Sequence, residues 1–570
     1  MRSILTRGEP VAAALGLAAA ALFAVPLGCS KRLSDPIASA HGDDSPPRRG
    51  GTLRLATIGD IRSGLDAATG TDLSIGPIHL IFAGLVDYDA HGRVVPDLAD
   101  HWDVDDGGKT YRFVLRSGVT MQDGEELTAD DVKRSAERAL HPTTPDPNAS
   151  YFDDIAGYPE YAAGKAEHLA GVVVEGRYVV AFHLAKPDST FPYLVAMHPL
   201  RPTCKSAGDR YSDTWLPCGA GPFKLAPGDW QRGTSLRLVR HDGYFRPGLP
   251  YLDAVEWTFN MQALAQRVRF ERGELDLTRD LTDADLARFT TDPRWKPLGV
   301  AEPDNAIYGV SMNTRIPPFD NVEVRRAVAA AIDREHVRIV QASRMSPLTQ
   351  ALPRTLQDDP SFAGQRYEYA AALEHMKRAG YPYDPVTDTG GWPHPIEYIL
   401  YYPGLDALVA EVIQQDLAKI GLRLRLKPLS YGAFLTLQER AGASAMSEGN
   451  WTMDYPDASS FFDPLFTTER IAPEGSFNTA FYSSPRFDAL AARAHLELDA
   501  GVRRALYREA NAILCDEAPW AFTYGHHTFD VRQPYVHGFV PHPVWPLDVA
   551  GVWLDRGDPG MDHALGRALP

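Results

Sequence analysis

Cysteine is scarce in this chain. There are four in 570 residues, and no pair has zinc-ligand spacing, which excludes a zinc ribbon or finger. Basic charge is in deficit as well. Lys and Arg number 57 against 74 Asp and Glu, a formal charge of −17. Such a balance lacks the clustered cations that a phosphate backbone requires, so nucleic acid is not an expected partner. Long apolar runs are absent beyond Leu27, and nothing later in the chain is long and apolar enough to span a bilayer. A phosphate-binding loop, a dinucleotide fingerprint and a His-Glu-x-x-His helix are all missing. Gly442-Ala443-Ser444-Ala445-Met446 approaches a nucleophile elbow but lacks the closing glycine and a strand–turn–helix context. His526 and His527 are adjacent, so in an extended run they point to opposite faces and do not converge on a metal. No catalytic group, cofactor or metal is expected.

What is present reads as a folded, exported protein. Hydrophobic residues make up 44% and charged residues 23%, the proportions of globular domains. The length exceeds one ordinary core, so two or three lobes are expected. Arg2 and Arg7 precede the Ala-rich apolar stretch Val11–Leu27, a targeting segment. It ends at Leu27-Gly28-Cys29-Ser30, which looks like a lipoprotein processing site with Cys29 as the lipidated first residue; Pro26 stands where that motif usually has Leu. Residues 1–28 are then signal peptide. Residues 29–50, polar and rich in Pro, Gly and Asp, form a flexible tether. Of the remaining cysteines, Cys204 and Cys218 flank a polar loop that a disulfide can close in an oxidising compartment. A Cys218–Cys515 bridge stays open as the alternative, although Cys515 lies in an apolar helical run and reads as a buried thiol.

The most informative stretch is Ile81 to Pro142. Asp105-Asp106-Gly107-Gly108 is a turn signal between two segments that can pair as a hairpin. Tyr111, Phe113 and Leu115 then alternate with Arg112, Val114 and Arg116, as in a strand buried on one face. Thr128-Ala129-Asp130-Asp131 fits a helix start, with a hydroxyl for an early N–H and acids at the positive end of the dipole. Further on, Val172–Val174 and Tyr178–Phe182 read as paired strands. Gly219-Ala220-Gly221-Pro222-Phe223 reads as a turn opening a strand. Asn321 can cap a helix in which Val324, Ala327, Val328, Ala331 and Ile332 share one face. An apolar stripe from Leu405 to Ile420 stops at Gly421, and Leu422, Leu424 and Leu426 alternate after it, a helix-to-strand crossover of an α/β lobe.

The string from Ile81 to Pro142, the Gly-Pro-aromatic strand entry at 219–225, the block VSMNTRIPPFDNVEVRRAVAAAIDREHV from Val310 and the segment Gly449–Asp457 together closely resemble the peptide/nickel family of extracytoplasmic solute-binding proteins, which feed ABC importers. The resemblance covers nearly the whole mature chain. It implies an α/β fold of the type II periplasmic-binding-protein kind: two α/β lobes around a cleft plus an extra inserted lobe. Mapped onto this chain, lobe I is discontinuous (51–82, 199–304 and 522–555), lobe II is inserted (83–198), lobe III spans 305–521, and 556–570 is a tail.

The resemblance also implies where a ligand lies. Gly449-Asn450-Trp451-Thr452-Met453-Asp454-Tyr455 resembles the family's Trp-x-x-Asp-Tyr element. In peptide-binding members the acid at the Asp454 position pairs with the peptide α-ammonium, and the backbone before it bonds the peptide as an added strand. Main-chain bonding ignores side-chain identity and permits broad specificity, while a carboxylate in a poorly hydrated cleft sets register. Asn450, Trp451 and Met453 belong to this segment, and Asp457 reads as a turn-forming acid. Tyr431, Thr71 and Asp72 (with Gly70, in a loop across the mouth), Tyr151, Phe152, His198 and Tyr308 complete the candidate set by position. Glu448 departs from the family, since oligopeptide binders often carry Arg there; an acid favours a cationic peptide or a ligand without a free carboxylate. The implied function is a monomeric, lipid-anchored extracytoplasmic receptor that binds peptides by lobe closure and passes them to a membrane permease. The alternatives are a receptor for a metal chelate, oligosaccharide or opine, and, from another class, a secreted hydrolase.

Overall fold

The computed structural model describes residues 46–301, 305–340, 345–401, 406–526 and 529–556. The signal segment, Cys29, most of the tether, the tail past Arg556, Leu405 and His527 lie outside the described residues.

Three groups of strands each carry their own core. The first is a four-stranded sheet in the order Thr52–Ala56, Ala254–Thr258, Ser235–Arg240, Phe223–Gln231. The first pair is parallel and the others antiparallel. Leu53, Leu55, Phe223, Leu236, Leu238 and Val255 point into its core. Pro222 immediately precedes the strand Phe223–Gln231, where a missing N–H removes nothing from the ladder.

The second core lies on a sheet ordered Ala99–Asp105, Thr110–Leu115, Val179–His183, Val172–Gly176. The hairpin turn places Asp106, Gly107 and Gly108 at φ of 52°, 64° and 95°. Two glycines there spare the backbone a left-handed strain that most side chains resist. Tyr111, Phe113 and Leu115 alternate inward as their period requires. The helix Ala129–Ala139 starts with a capping box in which Thr128 N–H donates to Asp131 Oδ2 at 3.0 Å, and it buries Val132, Ala136 and Ala139.

The third group is a six-stranded sheet in the order Met345–Pro347, Trp520–His526, Ala306–Met312, Met446–Thr452, Ile396–Tyr401, Leu424–Leu429. Ala306–Met312 is antiparallel to both its neighbours, and Ile396–Tyr401 is parallel to both of its own. Both faces are covered, so side chains of one strand serve two cores. Val310 and Met312 pack with Val324, Val328, Ile413 and Leu417. Ile307 packs on the other side with Phe461, Phe462, Leu514, Trp520 and Phe522. Asn321 caps the helix Val322–Ala331, its Oδ1 accepting Glu323 N–H at 2.9 Å.

One sequence expectation changes here, and one open choice is settled as first read. A lobe boundary at 521/522 cuts the strand Trp520–His526, which pairs with Ala306–Met312 from Trp520 to Tyr524; the chain next pairs outside this sheet at Phe529–Arg532, between Leu277–Thr278 and Gly299–Ala301. Of the two disulfides left open, Cys204–Cys218 is formed, with Cα atoms 5.5 Å apart, and Cys515 is a free thiol that burial pushes up to about 12.

The first and second cores are joined near Phe82 and again near Arg201, and fully buried Arg201 ties the crossings together. Its Nη1 donates to Phe82 O at 2.5 Å and its Nη2 meets Asp87 Oδ1 at 3.3 Å. The guanidinium lies 4.5 Å over the Trp545 ring, whose Nε1 also donates to Asp87 Oδ1, at 2.8 Å.

Candidate functional site

Ala306–Met312 and Met446–Thr452 pair over seven residues, setting Tyr308 opposite Asn450 and Ile307 opposite Trp451. A Cβ on Gly449 would meet the Trp520 ring at 2.7 Å, so the strand passes that indole only as glycine. After Thr452 the chain leaves the sheet. Met453 N–H donates to Asn305 O at 2.8 Å and Asp454 N–H to Ser460 Oγ at 3.0 Å. Asp457 accepts Ser459 N–H and Oγ–H at 3.0 and 2.8 Å and faces Arg503 at 3.3 Å. Asp457 thus organises the turn into the helix Ser459–Phe466, which leaves Asp454 held at its backbone and free at its side chain to meet the second core.

That meeting is direct. Tyr151 Oη donates to Asp454 Oδ2 at 2.7 Å, across 303 residues of sequence. The Tyr151 ring stands edge-on to Tyr455 at 5.9 Å, and Tyr455 itself packs into the second core. Burial raises the Asp454 carboxyl to about 6, opposed by the hydroxyl of Tyr151. A desolvated carboxylate held by one neutral donor is a place where a cation gains most.

The other candidates fall into groups. Tyr308 stacks on Tyr524 at 4.6 Å and 12°. Tyr431 is 58% exposed and stands edge-on to Tyr401 at 5.1 Å. Trp451 packs on Phe477 at 5.7 Å, and its Nε1 is buried with no hydrogen-bond partner among the described residues. Asn450 is exposed. Glu448 is buried, its Oε2 accepting Tyr401 N–H at 3.3 Å. His198 and the mouth loop lie together elsewhere: Nδ1–H of His198 donates to Ala67 O at 2.6 Å, and a Cβ on Gly70 would lie 3.5 Å from its ring. Burial lowers His198 to about 4, so it is neutral and supports the loop from behind. Thr71 N–H is taken by Ser74 Oγ at 2.8 Å, and Asp72 is exposed.

Two expected contacts are corrected. Phe152 is 1% exposed and belongs to the second core, because the short 3-10 helix Ala149–Phe152 turns it inward while Tyr151 turns out. Met453 is 6% exposed and packs under the six-stranded sheet. Ser444, in the elbow-like segment, precedes a strand, and its Oγ donates to Met446 O at 3.0 Å.

Sequence reasoning missed a polar seam beside Asp454. Asp188, Ser189 and Tyr193 of the second lobe meet His495, Ala494 and Arg503 of the third, and Asp463 backs His495 from within the third lobe. Its partners lie about 300 residues apart, and no local motif marks them. A cavity of about 460 Å³ adjoins the seam, lined from both sides by Gly92, Tyr193, Pro456, Arg503 and Tyr507 among others; Asp454 is not in its wall.

Separate α/β cores meeting at a half-buried carboxylate are the arrangement of a lobed solute receptor. Residues 93–473 match the bacterial extracellular solute-binding proteins, family 5 (middle region), and the chain belongs to that family. It is 28% identical over 474 residues to the glutathione-binding protein GsiB of Salmonella typhi, covering 82% of this chain and 87% of that protein. It is 29% identical over 485 residues to heme-binding protein A of Haemophilus influenzae, covering 81% and 84%. Among solved structures, clavulanic acid biosynthesis oligopeptide binding protein 2 superposes with a TM-score of 0.78 at 26% identity, covering 89% of this chain and 96% of the other. Among the described residues no helix is long and apolar enough to cross a membrane.

Proposed function

We propose that this receptor takes peptides for an ABC importer, holding the ligand's α-ammonium at Asp454, and that it performs no chemistry of its own. The observation that carries the reading is the half-buried Asp454 carboxylate, whose hydrogen-bond donor among the described residues is the neutral hydroxyl of Tyr151. An ammonium there replaces lost hydration with a charge-assisted bond, and the adjoining strand end at Asn450–Thr452 offers main-chain groups to an extended ligand. An oligopeptide-binding structural relative and a glutathione-binding relative support a ligand with a free amine. Within this reading, Asn450, Trp451, Tyr308 and Tyr431 flank the ligand, Thr71 and Asp72 border its entrance, and Cys29 carries the lipid that keeps a monomeric receptor beside its permease.

Native mass spectrometry of the purified protein identifies what it carries. Asp454→Ala is expected to weaken binding of Ala-Ala-Ala by about 100-fold, in keeping with loss of a charge-assisted contact of roughly 3 kcal/mol, and to leave N-acetyl-Ala-Ala-Ala nearly unchanged. Equal loss for both removes Asp454 from the ammonium role. The stacked Tyr308–Tyr524 pair and the heme-binding relative favour, as a second reading, a flat non-peptide solute; a copurified ring compound in place of peptides would establish it.

A further inference from the structure

We infer that His495 is a positioning residue of the ligand site: it pins the second lobe to the third and so holds Tyr151 against Asp454. The effect on ligand rests on the Asp454 reading above; the pin itself does not.

His495 lies in the last turn of the helix Pro485–Leu496. Its Nδ1 meets Asp188 Oδ1 of the second lobe at 3.3 Å, and its Nε2 meets Asp463 Oδ2 of its own lobe at 2.6 Å. With an acid at each ring nitrogen both must donate, so the ring is a cation bridging two carboxylates. Burial opposes that charge, and the two acids outweigh it.

Both anchors are themselves fixed. Asp188 Oδ1 accepts Thr190 N–H and Oγ–H at 2.8 and 2.7 Å, and Asp188 O accepts Tyr111 Oη–H at 2.6 Å, tying it to the central hairpin of the second lobe. Asp463 sits in the helix that Asp457 starts, so the third-lobe side leads back to the Asp454 loop.

The neighbouring backbone repeats the joint. Ser189 N–H donates to His495 O at 2.7 Å and Ser189 Oγ to Ala494 O at 3.1 Å. One lobe thereby donates to the end carbonyls of the other's helix, although Ala494 O also accepts the capping Glu497 N–H at 3.2 Å. Arg503 adds donors to Ser189 O at 3.1 Å and Tyr193 Oη at 3.4 Å.

The joint differs from the lobe interiors, although Tyr455 of the third lobe packs into the second core beside it. Its contacts are polar, and the 460 Å³ cavity lies beside it between the same two lobes, unlike the continuous cores within each lobe. Relative motion is the default expectation for polar interfaces of this kind between domains of one chain. Arg201, by contrast, fixes the second lobe to the first. The seam is therefore the joint that sets how far Tyr151 stands from Asp454.

Small-angle scattering on the ligand-free full chain tests the pin. His495→Gln and Asp188→Asn, on opposite sides of the joint, are each expected to enlarge the radius of gyration. The double variant should enlarge it no further, since both remove one interaction. Unchanged scattering in both single variants overturns the inference, and unchanged melting temperatures certify that the variants fold. The ligand arm uses the two tripeptides above. Loss of the positioned state scales apparent affinity by its population, so His495→Gln should weaken both equally, by about three- to tenfold, whereas Asp454→Ala discriminates between them and leaves scattering unchanged. A selective loss with His495→Gln would overturn a positioning role, and the scattering result stands whatever Asp454 proves to do.

Discussion

Asp454 carries its charge at a cost. Its carboxyl is raised to about 6 by burial, against an ordinary value of 3.8. The ligand-free fold is therefore penalised by the ionised form above the ordinary value, and acidification through about 6 relieves that penalty. A bound ammonium favours the ionised form and reverses the preference. Affinity for a free-amine peptide is thus expected to be flat above about pH 7 and to fall towards tenfold per pH unit below about 6. Titration calorimetry at about pH 5 and about pH 7.5 checks this, and Asp454→Asn should abolish the difference. His198 has the opposite sign for stability. Burial lowers it to about 4 from 6.5, so the folded state binds fewer protons, and its contribution is lost as pH falls below the ordinary imidazole value. At this scale the sequence marked Asp454 and Tyr151 by resemblance, and the structure joins them. Phe152 was misplaced because two adjacent aromatics in a one-turn helix point in different directions, and only packing says which is inward.

At the scale of elements, the Cys204–Cys218 loop does more than close itself. Tyr211 and Trp215 within it lie 5.9 and 5.1 Å from the Arg138 guanidinium. Arg138 pairs in turn with Asp66, Nη1 to Oδ1 at 3.1 Å. Asp66 caps the short helix Ala67–Thr69 that leads to Thr71. A disulfide closing a loop of this separation (14 residues) stabilises by about 3 kcal/mol. Cys204→Ala/Cys218→Ala is expected to lose about that much in urea titration and to raise hydrogen exchange in residues 66–74. The hairpin at Asp106–Gly108, the helix from Thr128 and the helix from Asn321 were legible because their signals are local: turn glycines, a capping box, a three-and-four apolar period. The strand Trp520–His526 was cut in two by a boundary mapped from the family resemblance, since pairing with residues more than 200 positions away leaves no mark on the strand itself.

For the whole molecule, the decisive contrast is between a fixed joint and a polar one. Arg201 is wholly buried between the first and second cores, with Asp87, Phe82 and Trp545 around it. Arg201→Met would leave Asp87 without its buried cation, and removing one partner of such a pair costs about 3–5 kcal/mol. Urea titration should report that loss. The His495 seam, being polar and beside a cavity, should instead change lobe separation with little effect on stability. Local alternation, caps and turns settled the elements of this protein, because those follow from neighbours along the chain, while its α/β class was marked by the family resemblance. The meeting of Tyr151 with Asp454, the pin at His495 and the staple at Arg201 were settled by folding alone. Each joins residues over 100 positions apart, and an interaction between side chains that far separated has no energy until lobe packing brings them within reach.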